Sequence, residues 1–481
     1  MPDLISNSTI DDAVAQALQL DLCFLDGPGK TRHVPFSFTP CPISATVLEQ
    51  LVATAPLLGK LTQLIADDDS LIQDVHAALA SGDPFFAELL SIHRALHSKP
   101  SELLRVPLLL QRSDFMVDEQ LGPKLVECNS IAAGMAPFGE RIVILHQYLQ
   151  QRWPAEFAHW HTSAPGLLLA NPATDNMARA IAAASASIAS DLGSDAPPGF
   201  LMVIQAGEDN LFDQRLLEEQ LRALGVRTHR RTFRQLHQQL SSGPNQSLEL
   251  EDCGTIHTVY LRAGYQFQDY VATDLDARRC CDALQETRMF IERHRVAMNA
   301  TVAQQLATSK RMQLRLAGDD GSLLRRLGFD DKECATLQSV FARMESVGPD
   351  SATRLRDEGD LGDWVLKNQG EGGGHCLFDR DILHQLDSLQ PPDYGAWTLM
   401  QRLRPAGRDR ATLMVRNGRA QLVERLVSEI GMFTAHLGNQ AVATEDARPG
   451  HIGYLVRSKP PQVTEAGIHS GFGVLDSLFL E

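Results

Sequence analysis

Apolar residues recur at three- and four-residue spacing over 10–20, 45–66 and 85–97, the period of amphipathic helices, with Ser8 or Ser44 placed to cap such helices. The pattern then changes. An extended stretch at 124–129 predicts a strand, a small-residue loop follows (Ser130-Ile-Ala-Ala-Gly-Met-Ala136), and helical periodicity returns over 176–192. Ser194-Asp-Ala-Pro-Pro-Gly199 is rich in turn formers and marks a boundary. Beyond it come an apolar strand at 200–205, a helix at 214–224, an extended segment at 226–232 and a strand at 257–262. That alternation predicts a small parallel sheet, a Rossmann-like insert of about 110 residues. Helix is expected again over 280–306, then a strand at 363–367 and a hairpin over 411–422 that turns at Asn417-Gly418. The chain therefore reads as α/β (α+β) in three parts: a helix-rich 1–195, an inserted α/β segment 196–308, and 309–481.

Length and composition narrow the class. A chain of 481 residues with 43% apolar and 22% charged residues can build two or three ordinary globular cores. The formal net charge of −16 argues against a nucleic-acid partner, which needs a basic stripe, but leaves room for a local basic pocket. The N-terminus has no charged n-region and apolar h-region, and no apolar run reaches bilayer-spanning length, so neither export nor membrane insertion is expected. The eight cysteines are scattered, and Cys280-Cys281 and His375-Cys376 lack partners at ligand spacing. Reduced thiols in a cytoplasmic protein are the expectation.

Candidate chemistry concentrates in Lys367-Asn-Gln-Gly-Glu371-Gly372-Gly373-Gly374, at the end of a predicted strand. Glycines let backbone N–H groups approach an anion closely, the lysine supplies a point charge for phosphate, and Glu371 offers a hard oxygen for Mg²⁺. This is a nucleoside-triphosphate pattern without the residue order of a P-loop. A flexible turn with solvated flanking charges fits the same eight residues. Glu127 and Asn129 lie two apart on a predicted strand, so both face one way, and together they make half of a hard-cation site that Glu371 would complete. Arg112, Arg262 and Arg457 follow apolar runs and are read as strand-end residues. Each alone suits a structural ion pair; three together suit a substrate with several carboxylates, which guanidinium forks bind bidentately.

Seven ordered blocks carry a family resemblance. They are Gln111-Arg-Ser-Asp-Phe-Met116, Val126-Glu-Cys-Asn-Ser-Ile131, Glu208-Asp-Asn-Leu-Phe-Asp-Gln-Arg215, Tyr260-Leu-Arg-Ala-Gly-Tyr265, Lys367 to Gly374, Ser428-Glu-Ile-Gly-Met-Phe433 and Tyr454-Leu-Val-Arg-Ser-Lys459. Over nearly its whole length the chain resembles eukaryotic-type glutathione synthetase, of the ATP-grasp ligases. The resemblance implies an ATP-grasp fold with a substrate-binding insert and a C-terminal lid, a cytoplasmic homodimer, and a ligase using ATP and Mg²⁺ on small-molecule substrates. Glu127, Asn129 and Glu371 would hold Mg²⁺. Lys310, Lys367, Gly372 and Gly373 would meet the ATP phosphates, and Met400, Leu403, Glu429 and Lys459 the adenine and ribose. Arg112, Glu208, Asn210, Gln214, Arg262, Tyr265 and Arg457 would hold γ-glutamyl-cysteine and product, with Arg112 or Arg457 stabilising charge during transfer. The implied reaction phosphorylates the peptide carboxylate and lets glycine displace phosphate, under two lids, the glycine-rich loop and Glu465-Ala-Gly-Ile-His-Ser-Gly-Phe-Gly473.

Two departures from the family bear on substrate choice. Ala132 and Gly134 stand where the family has serines that touch the peptide, and Ile468 and His469 stand in place of a valine–alanine pair in the C-terminal lid. A third, Cys376 for an asparagine after the triple glycine, falls on the nucleotide side. The same chemistry with another acceptor amine or γ-glutamyl peptide is the alternative these leave open; a nucleotide- or peptide-binding homologue without catalysis is a further one.

Overall fold

The computed structural model describes residues 5–27, 29–161, 165–275, 281–370, 376–443, 449–463, 467–469 and 473–481. Glu371, Gly372, Gly373 and Gly374 of the glycine loop, Cys280, His375, and Glu465 with 470–472 of the C-terminal lid lie outside the described residues.

One 13-stranded sheet organises the chain. Its centre is the strand Val106–Asp118, which pairs antiparallel with Gly122–Asn129 and with Val427–Leu437. Val427–Leu437 pairs in turn with His451–Lys459. On the other side Val106 and Pro107 pair in parallel with Ala297–Asn299, and Thr258–Leu261, Gly199–Val203 and Arg227–Arg231 continue outward, all parallel. The parallel strands expected in 196–308 are present, and their sheet runs on without a break into the antiparallel body. Leu108, Leu109 and Leu110 are fully buried, so this central strand accepts layers on both faces.

Parity along the strands decides what each face carries. Leu108, Leu110, Phe433 and Leu455 pack into one apolar cluster with Phe138 and Ile142 of helix Ala136–Arg152 and Met177 and Ile181 of helix Ala173–Leu192. Phe115, Ile430 and Val456 point the other way, toward Leu58 and Ile65 of helix Ala45–Ala66 and Leu89 of helix Pro84–His97. Ser44 caps the first of those helices and Asp83 the second. The expected helix at 10–20 begins earlier, at Asn7, with Ser6 rather than Ser8 accepting from the Thr9 N–H at 3.1 Å. Thr9 and Ile10 are buried, so the first turn is needed to place them.

The helix expected over 280–306 is two helices, Asp282–Glu292 and Val302–Ala307, with the strand Ala297–Asn299 between them. Glu292, the last residue of the first helix, ties the two together. Its buried carboxylate pairs with Arg105 at 3.0 Å and accepts from the Val302 N–H at 2.8 Å, while Thr301 and Gln304 form a capping box that starts the second helix.

Segment 309–481 divides its work. Met344–Ser346, Trp397–Gln401, Trp364–Asn368 and Cys376–Phe378 form a separate four-stranded antiparallel sheet on a small core of Trp364, Leu366, Leu399 and Ile382. The chain then returns to the large sheet through the hairpin Thr412–Arg416/Arg419–Val423. Asn417 and Gly418 take φ of +49° and +70°, the left-handed pair that a two-residue hairpin requires. Among the described residues no helix is long and apolar enough to cross a membrane.

Candidate active site

The sheet face that buries Leu108 and Leu110 carries Arg112 and Asp114 two and four residues further on, where helix Ala136–Arg152 no longer covers it. Arg112 pairs across to Asn129 and Asp114 to Glu127. A shift of register between Asp114 and Phe115 separates Leu125, in the opposite core, from Glu127, on the site face. The bulge is what aims Glu127 into the cleft. From the other neighbour come Glu429 and, beyond it, Arg457, which sit opposite each other. Gly431, two residues along the strand from Glu429, pairs with Asp114, and a Cβ there would come within 2.6 Å of Asp114 Oδ1 and 2.7 Å of Arg112 Cδ.

These residues form one buried charge network. Arg112 donates from Nε and Nη2 to the two oxygens of Asp114 at 2.6 and 2.8 Å, and from Nη1 to the Gly134 carbonyl at 3.3 Å. Asn129 Nδ2 and Arg457 Nη2 donate to Asp114 Oδ2 at 3.0 and 3.1 Å, and Arg457 also pairs closely with Glu429. Arg112 and Arg457 are therefore interior members of long strands rather than strand-end residues; only Arg262 follows a strand end. A charged residue is tolerated at such positions because it meets a carboxylate. Burial, with Asp114 and Glu127 close by, pushes the Glu429 carboxyl up against the pull of Arg457. Burial would also raise Glu127, but Lys310, Lys367, Arg457 and Arg112 outweigh it and hold that carboxyl at about 2. Glu127 is an anion at any working pH.

Lys310 opens the helix Lys310–Ala317, capped by Ser309, and its Nζ lies 3.5 Å from Glu127 and donates to the Gly370 carbonyl at 2.9 Å. The Arg311 N–H donates to Gln369 Oε1 at 3.0 Å. The root of the glycine loop is thus tied to this helix start. His76, fully buried, meets the Ser309 hydroxyl at 2.8 Å and braces it from behind. Lys459 donates to the Val463 carbonyl at 2.7 Å.

A second cluster faces the first across the cleft. Arg262 donates to Asp213 at 2.9 Å and to Glu208 at 3.0 Å, and Glu208 accepts from Gln214 at 2.7 Å. Burial by itself would lower the Arg262 guanidinium, but those carboxylates push it up. A Cβ at 134 would overlap that guanidinium, which accounts for glycine where the resemblance leads one to expect serine. Ala132 holds a left-handed φ of +50°. Tyr265 accepts from Gln205 at 3.0 Å, and burial raises its hydroxyl to about 12. Asn210 is buried and donates to Asp213 at 3.5 Å. His469 pairs with Asp209 at 3.0 Å and packs on the Phe24 ring at 4.3 Å, and Ile468 is in the apolar core.

Arg112, Glu127, Asn129, Lys310, Glu429, Arg457 and Lys459 from the first cluster, and Glu208, Asp209, Asn210, Arg262, Tyr265, Ile468 and His469 from the second, border one cleft of about 820 Å³, whereas Asp114, Asp213, Gln214, His76, Ser309, Gln369 and Phe24 stand behind its wall. Met400 and Leu403, with Met116, Val365 and Phe378, make an apolar patch beside Lys367 and Lys459. Of the candidate site residues, Gln214 is outside the lining and donates to Glu208 from behind it, and Glu371, Gly372 and Gly373 lie outside the described residues. Asp114 and Asp213 were not singled out by the sequence. Both lie inside the quoted blocks, Asp114 two residues after Arg112, and same-face spacing with an arginine was the signal available.

The family model for the ATP-binding domain of eukaryotic glutathione synthase matches residues 5–480. A chloroplastic glutathione synthetase of Solanum lycopersicum is 29% identical over 93% of this chain and 78% of its own length. The Rattus norvegicus glutathione synthetase is 26% identical over 98% of this chain and 96% of its own, and the Homo sapiens enzyme 26% over 92% and 90%. The solved structure of a glutathione synthetase-like effector from Globodera pallida superposes with a TM-score of 0.72 at 18% identity, covering 100% of this chain and 99% of that one; the likeness is one of fold. With the matched family model running almost from end to end and the sequence blocks gathered around one cleft, the chain belongs to the eukaryotic glutathione synthase family.

Proposed function

We propose that the protein is an ATP-dependent ligase that joins the cysteinyl carboxylate of γ-glutamyl-cysteine to glycine, giving glutathione, ADP and phosphate. The observation that carries this reading is the pairing of two charge clusters across one cleft, Arg112–Asp114–Arg457–Glu429 with Glu127 and Lys310 on one side, Arg262–Glu208–Asp213 on the other. The first suits a polyphosphate and a reacting carboxylate; the second suits a peptide with both an amine and carboxylates.

A carboxylate is a poor electrophile, so the peptide carboxylate first takes the γ-phosphoryl group of ATP, and the glycine amine then attacks the acyl phosphate and phosphate leaves. Lys310 and Lys367 meet the phosphates. Arg112 and Arg457, fixed by Asp114 and Glu429, oppose the charge that builds on the carboxylate and the transferring group. The apolar patch of Met400, Leu403 and Phe378 takes the base, with Glu429 and Lys459 near the ribose. Glu208, Asn210, Arg262 and Tyr265 hold the peptide.

Mg²⁺ fits the donor set. Glu127 is ionised, and the Asn129 amide nitrogen is committed to Asp114, so its oxygen is what it offers a hard cation. Bound there with Glu371, the ion would neutralise phosphate charge during transfer. We assign 1–195 to the body with the metal-binding strand, 196–308 to peptide binding and 309–481 to the nucleotide lid and C-terminal substrate loop, and infer a cytoplasmic homodimer, which light scattering tests.

The deciding experiment supplies ATP, Mg²⁺ and γ-glutamyl-cysteine with glycine, β-alanine and serine in competition, follows phosphate release, and identifies products by mass. Glutathione as the main product is expected. Phosphate release without a peptide product, or preference for another amine, overturns the stated reaction.

A further inference from the structure

Outside the cleft, two helices bring together three metal-ligating side chains that the ligase reading does not use. Asp69 is the first residue of helix Asp69–His76, and His93 and His97 lie one turn apart on helix Pro84–His97. One ligand atom from each of Asp69, His93 and His97 lies within 4.8 Å of those of the other two. We propose that this trio binds a single zinc ion.

The chemistry of the set points to zinc rather than to Mg²⁺, because two imidazoles are borderline nitrogen donors that Mg²⁺ avoids, and with one carboxylate they make a three-residue zinc set with an open fourth position. The imidazoles are already oriented. His97 Nδ1 donates to the His93 carbonyl at 2.9 Å, which leaves Nε2 of His97 as the lone-pair nitrogen and supplies the outer hydrogen bond that zinc-binding histidines usually have. The two rings lie 4.0 Å apart and 32° from parallel. His93 is fully buried and its Nε2 meets Asp69 Oδ1 at 2.8 Å; the other oxygen of Asp69 accepts from Gln73 at 2.9 Å. The carboxylate keeps 46% of its surface exposed, so an ion has a path in. Ligand atoms on a tetrahedral zinc stand about 3.4 Å apart, so the trio closes by side-chain rotation of about 1–1.5 Å without moving either helix. The His93 Nε2–H that now faces Asp69 gives way to the ion, and the proton leaves or moves to Nδ1. Nδ1 is buried without a hydrogen-bond partner. Without that outer bond His93 is the weaker imidazole ligand, and micromolar rather than tighter affinity is the expectation.

The test uses full-length protein without a polyhistidine tag, reduced, with excess Mg²⁺ present to fill any hard-oxygen site. Zn²⁺ is titrated against a chromophoric indicator, and Co²⁺ is added separately for its visible spectrum. Expected are one zinc per chain at micromolar affinity, a cobalt spectrum of nitrogen and oxygen ligation, and loss of affinity by about 100-fold or more in His97→Ala and in Asp69→Asn, since losing a direct ligand costs at least as much as losing a group that orients one, about 10–100-fold. Among the described residues His97 hydrogen-bonds within its own helix turn, and the amide oxygen introduced by Asp69→Asn can still accept from His93, so both variants should fold, as circular dichroism checks. Unchanged zinc binding in both variants, a thiolate-to-cobalt charge-transfer band, or no saturable binding in the micromolar range each overturns the proposal. None of these outcomes depends on turnover, so failure here is separate from failure of the ligase reading.

Discussion

Asp114 should be the most sensitive residue of the candidate site outside those that touch substrate. It is fully buried and holds Arg112 with two bonds of 2.6 and 2.8 Å, Arg457 at 3.1 Å and Asn129 at 3.0 Å. Asp114→Asn keeps the shape, removes the charge and sets an NH₂ donor against guanidinium or amide donors. Breaking a buried ion pair from one side costs roughly 3–5 kcal/mol. Glu429 still pairs with Arg457, and Arg457 retains 19% of its side-chain surface, so the low end applies, about 3 kcal/mol. If the arginines oppose charge in the transition state, their displacement carries that cost into catalysis, and at 1.36 kcal/mol per decade kcat/KM falls about 100-fold. The assay is phosphate release with γ-glutamyl-cysteine and glycine, per folded protein, beside a thermal melt of each variant. A variant within threefold of wild type in kcat/KM refutes the reasoning even if its Tm drops, because Asp114 would then be a structural residue only.

Three further substitutions have defined outcomes. Glu127→Gln should raise the Mg²⁺ concentration needed for half-maximal rate by about tenfold or more, as one charged ligand of a hard cation is lost. Its folded pKa of about 2 lies below the ordinary 4.5, so Glu127 contributes stability that is present above pH 4.5 and lost as pH falls toward 2; acid unfolding of Glu127→Gln should lose that dependence. Gly134→Ala should push the Arg262 guanidinium off Asp213 or Glu208, and losing one charge-assisted bond of about 1.5–3 kcal/mol raises the peptide KM by about 10- to 100-fold; an unchanged KM would count against the Arg262 cradle, and an altered ATP KM against the division of the cleft. His469→Ala breaks a half-exposed pair with Asp209, so Tm should hardly move and glycine should stay the preferred amine, whereas a switch of preferred amine would assign acceptor selection to His469.

What was legible from the sequence was local. Helix Ala45–Ala66 matched its apolar period to the residue, and Asn417-Gly418 placed the hairpin, because each depends on neighbours a few residues away. The strand Ala297–Asn299 was hidden inside a helical period, since three residues carry no periodic signal and the Glu292 carboxylate meets the start of the second helix from ten positions away. The continuity of the parallel and antiparallel strands was equally invisible: it rests on the pairing of Val106 and Pro107 with Ala297 and Met298, almost two hundred positions away. Glu127 and Asn129 were correctly placed on one face, but the bulge that separates Glu127 from Leu125 is a property of the pair of strands, not of either alone. Asp114 is illegible in the sequence for the same reason. Its meaning comes from Arg457, 343 positions later.

The charge of the cleft runs against that of the chain. Among the described lining residues Arg112, Arg262, Lys310, Lys367, Arg402, Arg457 and Lys459 face Glu127, Glu208, Asp209 and Glu429, seven cations to four anions, in a protein of net charge −16. Long-range attraction therefore does not gather the polyanionic substrates; at physiological salt the field of the whole surface is screened within about 8 Å. The pull is local, focused by low-dielectric walls on the space between the two clusters. Sheet register makes that focus possible, because it lines up basic and acidic side chains from four strands on a single face, where each cation is held by a neighbour rather than by water. Arg112 and Arg457 thus need little reorganisation when charge develops beside them. Substrate affinity should for that reason depend only weakly on ionic strength, while any substitution that frees one of those arginines should make it strongly salt-dependent.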